Sequence, residues 1–200
     1  MTTGADSVAH VDETRLIQRA RRGDADAFAG LYRDNVQAIY RYILLRVSDA
    51  QLAEDLTGDV FMRALKSIST YQDQGKPFIA WLYRIAHARV VDHYRRSGRR
   101  PPDSDLEDEP LPVSTDLDQS LLRRQAAQAL RTAIQQLTDE QQQVVVLRFI
   151  EGQSLEATAQ IMGKNANAIK ALQHRALRSL AGRLTRAGFD VESILAGLSS

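Results

Sequence analysis

Between Phe78 and Arg100 the chain reads FIAWLYRIAHARVVDHYRRSGRR, with six arginines set among apolar and aromatic residues. Five of the twelve aromatics (Tyr71, Phe78, Trp81, Tyr83, Tyr94) fall within residues 71–94. Guanidinium groups attract phosphates whatever the base sequence, and aromatic faces stack on bases that have left the duplex. The chemistry on offer is therefore single-stranded DNA binding. Wound as a helix, the segment places Leu82, Ile85, Ala86 and Val90 on a core-facing stripe and Arg84, His87, Val91 and Arg95 on the opposite side, with Trp81 at the rim. Arg89 falls near the apolar stripe three residues before Asp92, a spacing that predicts a structural ion pair.

A second candidate lies near the C-terminus. Ser154 starts a short helix through Met162, Gly163 supplies a tight turn, and Asn165 caps a last helix running past Leu180. On that helix Ile169, Leu172, Ala176 and Leu180 share one side. Asn167, Lys170, Ala171, His174 and Arg178 occupy the other, offering groups suited to base edges and phosphates. This is a helix-turn-helix pattern.

The elements that must position these residues are helical throughout, which predicts an all-α fold of two small domains. Asp12 is the expected cap of a first helix carrying Leu16, Ile17 and Ala20, closed near Gly23. Asp24 caps a second with Phe28, Leu31, Ile39, Ile43 and Val47. Ser48 with Gln51 forms an S-x-x-Q capping box for a third helix to about Ser69, and a turn holding Gly75 and Pro77 leads into the fourth. Farther on, LLRRQAAQALRTAIQQL is a good helix former, and Thr138 with Gln141 makes another box before VVVLRFI, which Gly152 ends. The expected domains are residues 12–100 and 121–187, after an unstructured 1–11 and before a tail at 188–200.

Residues 101–120 join them. They hold four of the five prolines, and residues 101–118 carry seven acids and no Lys or Arg. Such an acidic flexible linker spans roughly 25 Å as a coil and about 70 Å drawn out. The overall charge of +1 conceals blocks of +4, −7 and +4.

Composition narrows the function. The absence of cysteine excludes thiol chemistry and cysteine metal sites, and the four histidines form no i, i+4 pair, so neither a metal nor another cofactor is expected. No run of eighteen apolar residues and no secretory leader pattern appears, which predicts a cytoplasmic chain without membrane insertion. A magnesium enzyme using Glu54, Asp55 and Asp59 is the alternative of another class, but no nucleophile or phosphate-binding glycine loop accompanies those acids.

AEDLTGDVFMRAL (Ala53 to Leu65), WLYRIAHARVVDHYRR (Trp81 to Arg96) and the helix-turn-helix, in that order around a variable linker, resemble the extracytoplasmic-function (ECF) class of bacterial sigma factors. The resemblance covers about residues 13–100 and 120–185. It implies a non-enzymatic protein that binds core RNA polymerase and directs promoter-specific initiation. Gln51, Asp55, Asp59, Met62 and Lys66 would face the clamp coiled coil of the largest polymerase subunit. The turn at 71–77 and the following helix would capture a flipped base of the minus-ten element, with Tyr71, Trp81, Arg84, His87, Ala88, Val91 and Arg95 as contacts.

Asn165, Asn167, Lys170, Ala171, His174 and Arg178 would contact the minus-thirty-five element, with the polymerase flap region nearby. An anti-sigma factor is a further implied partner. The chain departs from the family pattern at Ala88, where many relatives carry an Asn, and at Ala168 and Ala171, which replace hydroxyl residues of a TVKS-like string. The competing reading is a stand-alone helix-turn-helix regulator of duplex DNA. It leaves residues 81–100 and the AEDLTGDVF helix without a role.

Overall fold

A computed structural model of the chain describes residues 3–72, 76–98 and 119–189. Regular structure among these is helical: α1 (Thr3–Arg21), α2 (Ala25–Val47), α3 (Ala50–Ser67) followed by a 3-10 turn (Ile68–Thr70), α4 (Phe78–Ser97), α5 (Gln119–Gln135), α6 (Asp139–Val145), α7 (Leu155–Met162) and α8 (Ala166–Arg186). Two compact units result, one built on Met1–Leu44 and Asp49–His93, the other on Tyr94–Ser200 with Leu45–Ser48. The acidic segment 101–118 and most of the tail, 190–200, lie outside the described residues.

In the first unit the helices start and stop where local chemistry dictates, with two shifts from expectation. Helix α1 begins at Thr3, so Asp12 lies inside it and is not its cap; residues 5–11 contain no glycine or proline to prevent this. Gly23 ends the turn after α1 with φ 88°. Asp24 then caps α2, its Oδ1 accepting from the Ala27 N–H at 3.0 Å, while Arg19 Nε donates to Oδ2 at 2.8 Å. Those two contacts, the backbone one first, hold the Asp24 carboxyl below its ordinary range.

The second shift is at α3, where the cap is Asp49. Its Oδ1 accepts from the Leu52 N–H at 3.0 Å, and the expected Ser48–Gln51 box does not form. Ser48 instead makes the turn, at φ 63°. An aspartate one residue along offers the stronger acceptor, and the turn after α2 places it at the helix mouth.

The core of this unit is the apolar stripe of each helix: Leu31, Ile39, Tyr42 and Ile43 from α2, Ala53, Leu56, Val60 and Phe61 from α3, and Phe78, Leu82, Tyr83, Ala86 and Val90 from α4. Each large side chain so buried is worth about 1.5–3 kcal/mol. Tyr42 and Tyr83 meet at a ring distance of 5.1 Å. The first turn of α4 is held from α1, because Glu13 Oε2 accepts from the Phe78 N–H at 3.3 Å.

In the second unit α5, α6 and α7 all pack on α8. The capping box of Thr138 and Gln141 forms as the spacing predicts, with Gln141 Oε1 accepting from the Thr138 N–H at 3.3 Å. Helix α6 does not run on regularly to Gly152: Val146–Ile150 form a π turn, in which the Glu151 N–H reaches back to the Val146 carbonyl at 2.9 Å. Val144, Val145, Val146 and Leu147 are all buried, so this stretch is enclosed on every side.

Candidate functional site

Helix α3 offers the first surface. Ala53, Leu56, Thr57, Val60, Phe61 and Ala64 are buried, and Gln51, Asp55, Asp59, Met62 and Lys66 are all exposed on the opposite side. Met62 keeps 54% of its surface, and two apolar residues that periodicity did not single out are exposed as well, Leu65 at 46% and Tyr32 of α2 at 42%. Tyr32 is held edge-on to Phe61 at 4.8 Å. Acids beside exposed methionine, leucine and tyrosine make a mixed face of the kind protein partners cover. Leu65 stands three residues after Met62, and that spacing was its only signal.

Asp59 has a second attachment. Its Oδ2 receives Arg89 Nη2 of α4 at 2.8 Å, and Arg89 Nη1 also donates to Asp92 Oδ2 at 3.2 Å. The predicted Arg89–Asp92 pair is therefore present, and it extends to α3. Of the acids grouped in the magnesium reading, Asp59 is committed to a cation.

The second surface is α4 with the turn before it. Tyr71, Phe78 and Trp81 form a three-ring cluster with centroid distances of 5.5, 4.8 and 5.3 Å. Phe78 is fully buried and Tyr71 retains 8% of its surface, so Trp81, half-buried, is the ring with most freedom to meet a ligand. Tyr71 stands as the support of Trp81, and Tyr83 belongs to the core. Arg84, Ala88, Val91 and Arg95 are exposed in one line along α4, with His87 half-buried beside them. Residues 73–75 of the turn lie outside the described residues.

The third surface is α8. Ser154 caps α7, its Oγ accepting from the Ala157 N–H at 3.0 Å. Gly163 follows with φ 65°, where its N–H reaches Gln160 and the Lys164 N–H reaches the Ala159 carbonyl at 2.9 Å. That doubled return of hydrogen bonds is a Schellman closure, and the left-handed residue is glycine because a Cβ strains there. Asn165 spends its Oδ1 on the Ala168 N–H at 2.8 Å. Its side-chain NH₂ is the part left for a ligand.

Ile169, Leu172, Ala176 and Leu180 are buried, while Asn167, Lys170, Ala171, His174 and Arg178 are all exposed, as the spacing predicts. Arg148 Nε donates to Gln173 Oε1 at 3.3 Å, and Lys164 pairs with Glu140 at 2.7 Å, so the turn of the motif and the middle of α8 are tied to α6 and its π turn. No helix among the described residues is long and apolar enough to cross a membrane.

Comparison with known proteins finds matches to both units. The family model for Sigma-70 region 2 matches residues 31–100, and that for Sigma-70, region 4 matches residues 133–181. The ECF RNA polymerase sigma factor BldN of Streptomyces coelicolor is 41% identical over 174 residues, 83% of this chain and 63% of its own length. The chain thus spans less than two thirds of that relative. ShbA of Streptomyces griseus, another ECF RNA polymerase sigma factor, is 31% identical over 175 residues, 82% of this chain and 91% of its own.

Among solved structures, CnrH in complex with the cytosolic domain of CnrY superposes with a TM-score of 0.68 at 22% identity, covering 87% of this chain and 97% of that one. The sigma factor RpoE in complex with the anti-sigma factor NepR from Bartonella quintana gives 0.60 at 24%, covering 79% and 96%. At those identities the likeness is one of fold. The matched regions hold α3 and α4 in one unit and the helix-turn-helix in the other, and the chain belongs to the ECF sigma factors of RNA polymerase.

Proposed function

We propose that this chain binds core RNA polymerase and directs promoter-specific initiation. The α3 face, with Gln51, Asp55, Met62 and Lys66, docks on the clamp coiled coil of the largest subunit. Asp59 contributes at the edge of that face while paired to Arg89. Arg84 and Arg95 hold the phosphates of the minus-ten strand as it leaves the duplex, with Trp81 against an extruded base and His87, Ala88 and Val91 along the same face. Ala88 has no group to read that base by hydrogen bonding, so readout shifts to the turn before α4.

At the minus-thirty-five element, Asn167 reads base edges, and Lys170, His174 and Arg178 hold the backbone and adjacent edges. Asn165 and Ala171 approach the same groove. No bond is made or broken by this chain; it positions DNA for the polymerase. By analogy with RpoE and its anti-sigma factor, an anti-sigma factor covering one or more of these faces is the natural regulator. Its work with polymerase places the chain in the cytoplasm.

The observation that carries this reading is the pairing, in one chain, of an exposed cationic line on α4 with an exposed amide and cation face on α8. A stand-alone duplex regulator has no use for the first. Run-off transcription with core polymerase on genomic fragments tests it: the chain should confer initiation at a small set of discrete start sites. Duplex binding without any polymerase-dependent transcript would favour the stand-alone regulator.

A further inference from the structure

An open groove of about 440 Å³ lies where α1 meets the 3-10 turn, lined by Gln18, Arg21, Arg22 and Ser69. None of these belongs to the polymerase or promoter faces described above. Arg19, nearby in sequence, is spent on Asp24. Arg21 and Arg22 are exposed, and neither is held by a carboxylate among the described residues. The lining is an amide, a hydroxyl and two guanidinium groups, with no apolar side chain. Such a set can give a phosphate charge-assisted hydrogen bonds from several directions.

The position of the groove narrows the ligand. Ser69 is two residues before Tyr71, within the 3-10 turn that leads to the Tyr71–Phe78–Trp81 cluster. At about 2 Å of rise per residue, Ser69 is only about 4 Å along the turn from Tyr71. One nucleotide step in a strand is about 3.4 Å in the duplex and longer when stretched. A strand whose base rests at Trp81 therefore brings a neighbouring phosphate within reach of the groove. A protein partner would want an apolar centre to bury, which this lining lacks.

We propose that Arg21 and Arg22, with Gln18 and Ser69, form a phosphate seat for the opened DNA strand, one or two nucleotides from the base held at the aromatic cluster. The proposal rests on the promoter-melting reading above. It adds α1 to the strand path, so the open strand is gripped by α1 as well as by α4.

The test uses the full chain bound to core polymerase and a fluorescent non-template-strand oligonucleotide from a promoter identified by run-off transcription. Affinity is measured across salt concentrations for wild type and for R21A/R22A, with methylphosphonate replacing one phosphate at a time. The double variant should lower the magnitude of the log–log salt slope by about 0.7 for each phosphate the pair neutralises. One methylphosphonate position should weaken wild type and leave the variant unaffected. Ser69→Asp, which puts a negative charge at the groove, should weaken the strand without changing core affinity.

Identical salt slopes and identical methylphosphonate profiles in wild type and variant would overturn the seat. So would a variant that binds the strand normally but loses core affinity, since the groove would then be a protein contact. A wild-type holoenzyme that does not bind the oligonucleotide at all overturns the melting reading itself, and the seat with it.

Discussion

Arg89 of α4 reaches across to Asp59 of α3, Nη2 to Oδ2 at 2.8 Å, so a buried guanidinium fixes a carboxylate that belongs to the exposed face of its neighbour. Two acids on one face therefore have different duties. Asp59→Ala should lower the stability of the first unit by about 1 kcal/mol, the figure being modest because Asp59 is more than half exposed and Asp92 still pairs with Arg89. Asp55→Arg should leave stability within about 0.5 kcal/mol of wild type and strongly weaken core-polymerase binding. Denaturant melts alongside core titrations check both. Unchanged core affinity in Asp55→Arg would remove that residue from the interface.

Arg84 and Arg95 share the exposed line of α4, and neither supports the core. Replacing both by Ala should slow promoter opening and flatten its salt dependence, because fewer counterions are released when the strand is gripped. Stopped-flow opening kinetics at several salt concentrations provide the measurement. A double variant that opens promoters normally at raised salt contradicts the role given to α4.

On α8 the expected effects divide by chemistry. Lys170→Ala should weaken binding to every minus-thirty-five sequence about equally, since an ammonium reads charge. Asn167→Ala should change the ranking among sequences, because an amide distinguishes donors from acceptors on base edges. Competition binding against a randomised minus-thirty-five library separates the two. Equal losses on all sequences for Asn167→Ala would make it a backbone contact.

Gly163 has open space where a Cβ would project, so Gly163→Ala meets no clash and its cost is conformational alone. Held at φ 65°, an alanine there should lower the stability of the second unit by about 1–2 kcal/mol. Thermal melts of Gly163→Ala and Gly163→Asn discriminate the cause: asparagine, which tolerates the left-handed region, should recover part of the loss. An alanine variant as stable as wild type would show that the turn relaxes.

The Asp24 carboxyl is held below its usual range first by the Ala27 N–H and then by Arg19. A depressed carboxylate stabilises the fold above its unfolded-state pKa of about 3.9 and loses that contribution as pH falls through the lower folded value. Asp24→Asn keeps a cap but cannot titrate. Its deficit in melting temperature against wild type should be constant near neutrality and shrink below about pH 4. A deficit independent of pH would assign the whole effect to the cap.

The starts of α2, α6, α7 and α8, the two faces of α8 and the stripe of α4 were legible because each rests on a local rule: a short polar cap, a glycine, a period of 3.6. What escaped the sequence depends on partners far along the chain. Nothing local tells Phe78 that Glu13 will cap its helix, or tells Arg89 that Asp59 is waiting on α3. Tyr71 illustrates the same limit from the other side, since an aromatic near a cationic helix has one signature whether its ring faces ligand or lies against Phe78 and Trp81. Leu65 and Tyr32 were missed because an apolar residue is expected inside until packing shows that its place is taken.

The π turn at Val146–Ile150 takes up one residue more than an α-helical turn, so the chain carries a spare residue there. Removing one residue would let α6 close as an ordinary α-helix while the residues that follow keep their direction, whereas adding one would turn everything after it by about 100° around the helix axis. After an insertion ahead of Arg148 that side chain would swing away from Gln173, and α8 would lose its tie to the π turn. Deleting Phe149 or Ile150, the half-buried residues at the end of that turn, should thus still yield a folded chain. Single-residue insertions in the same window should yield a second unit in which α8 is misaimed even where it still folds.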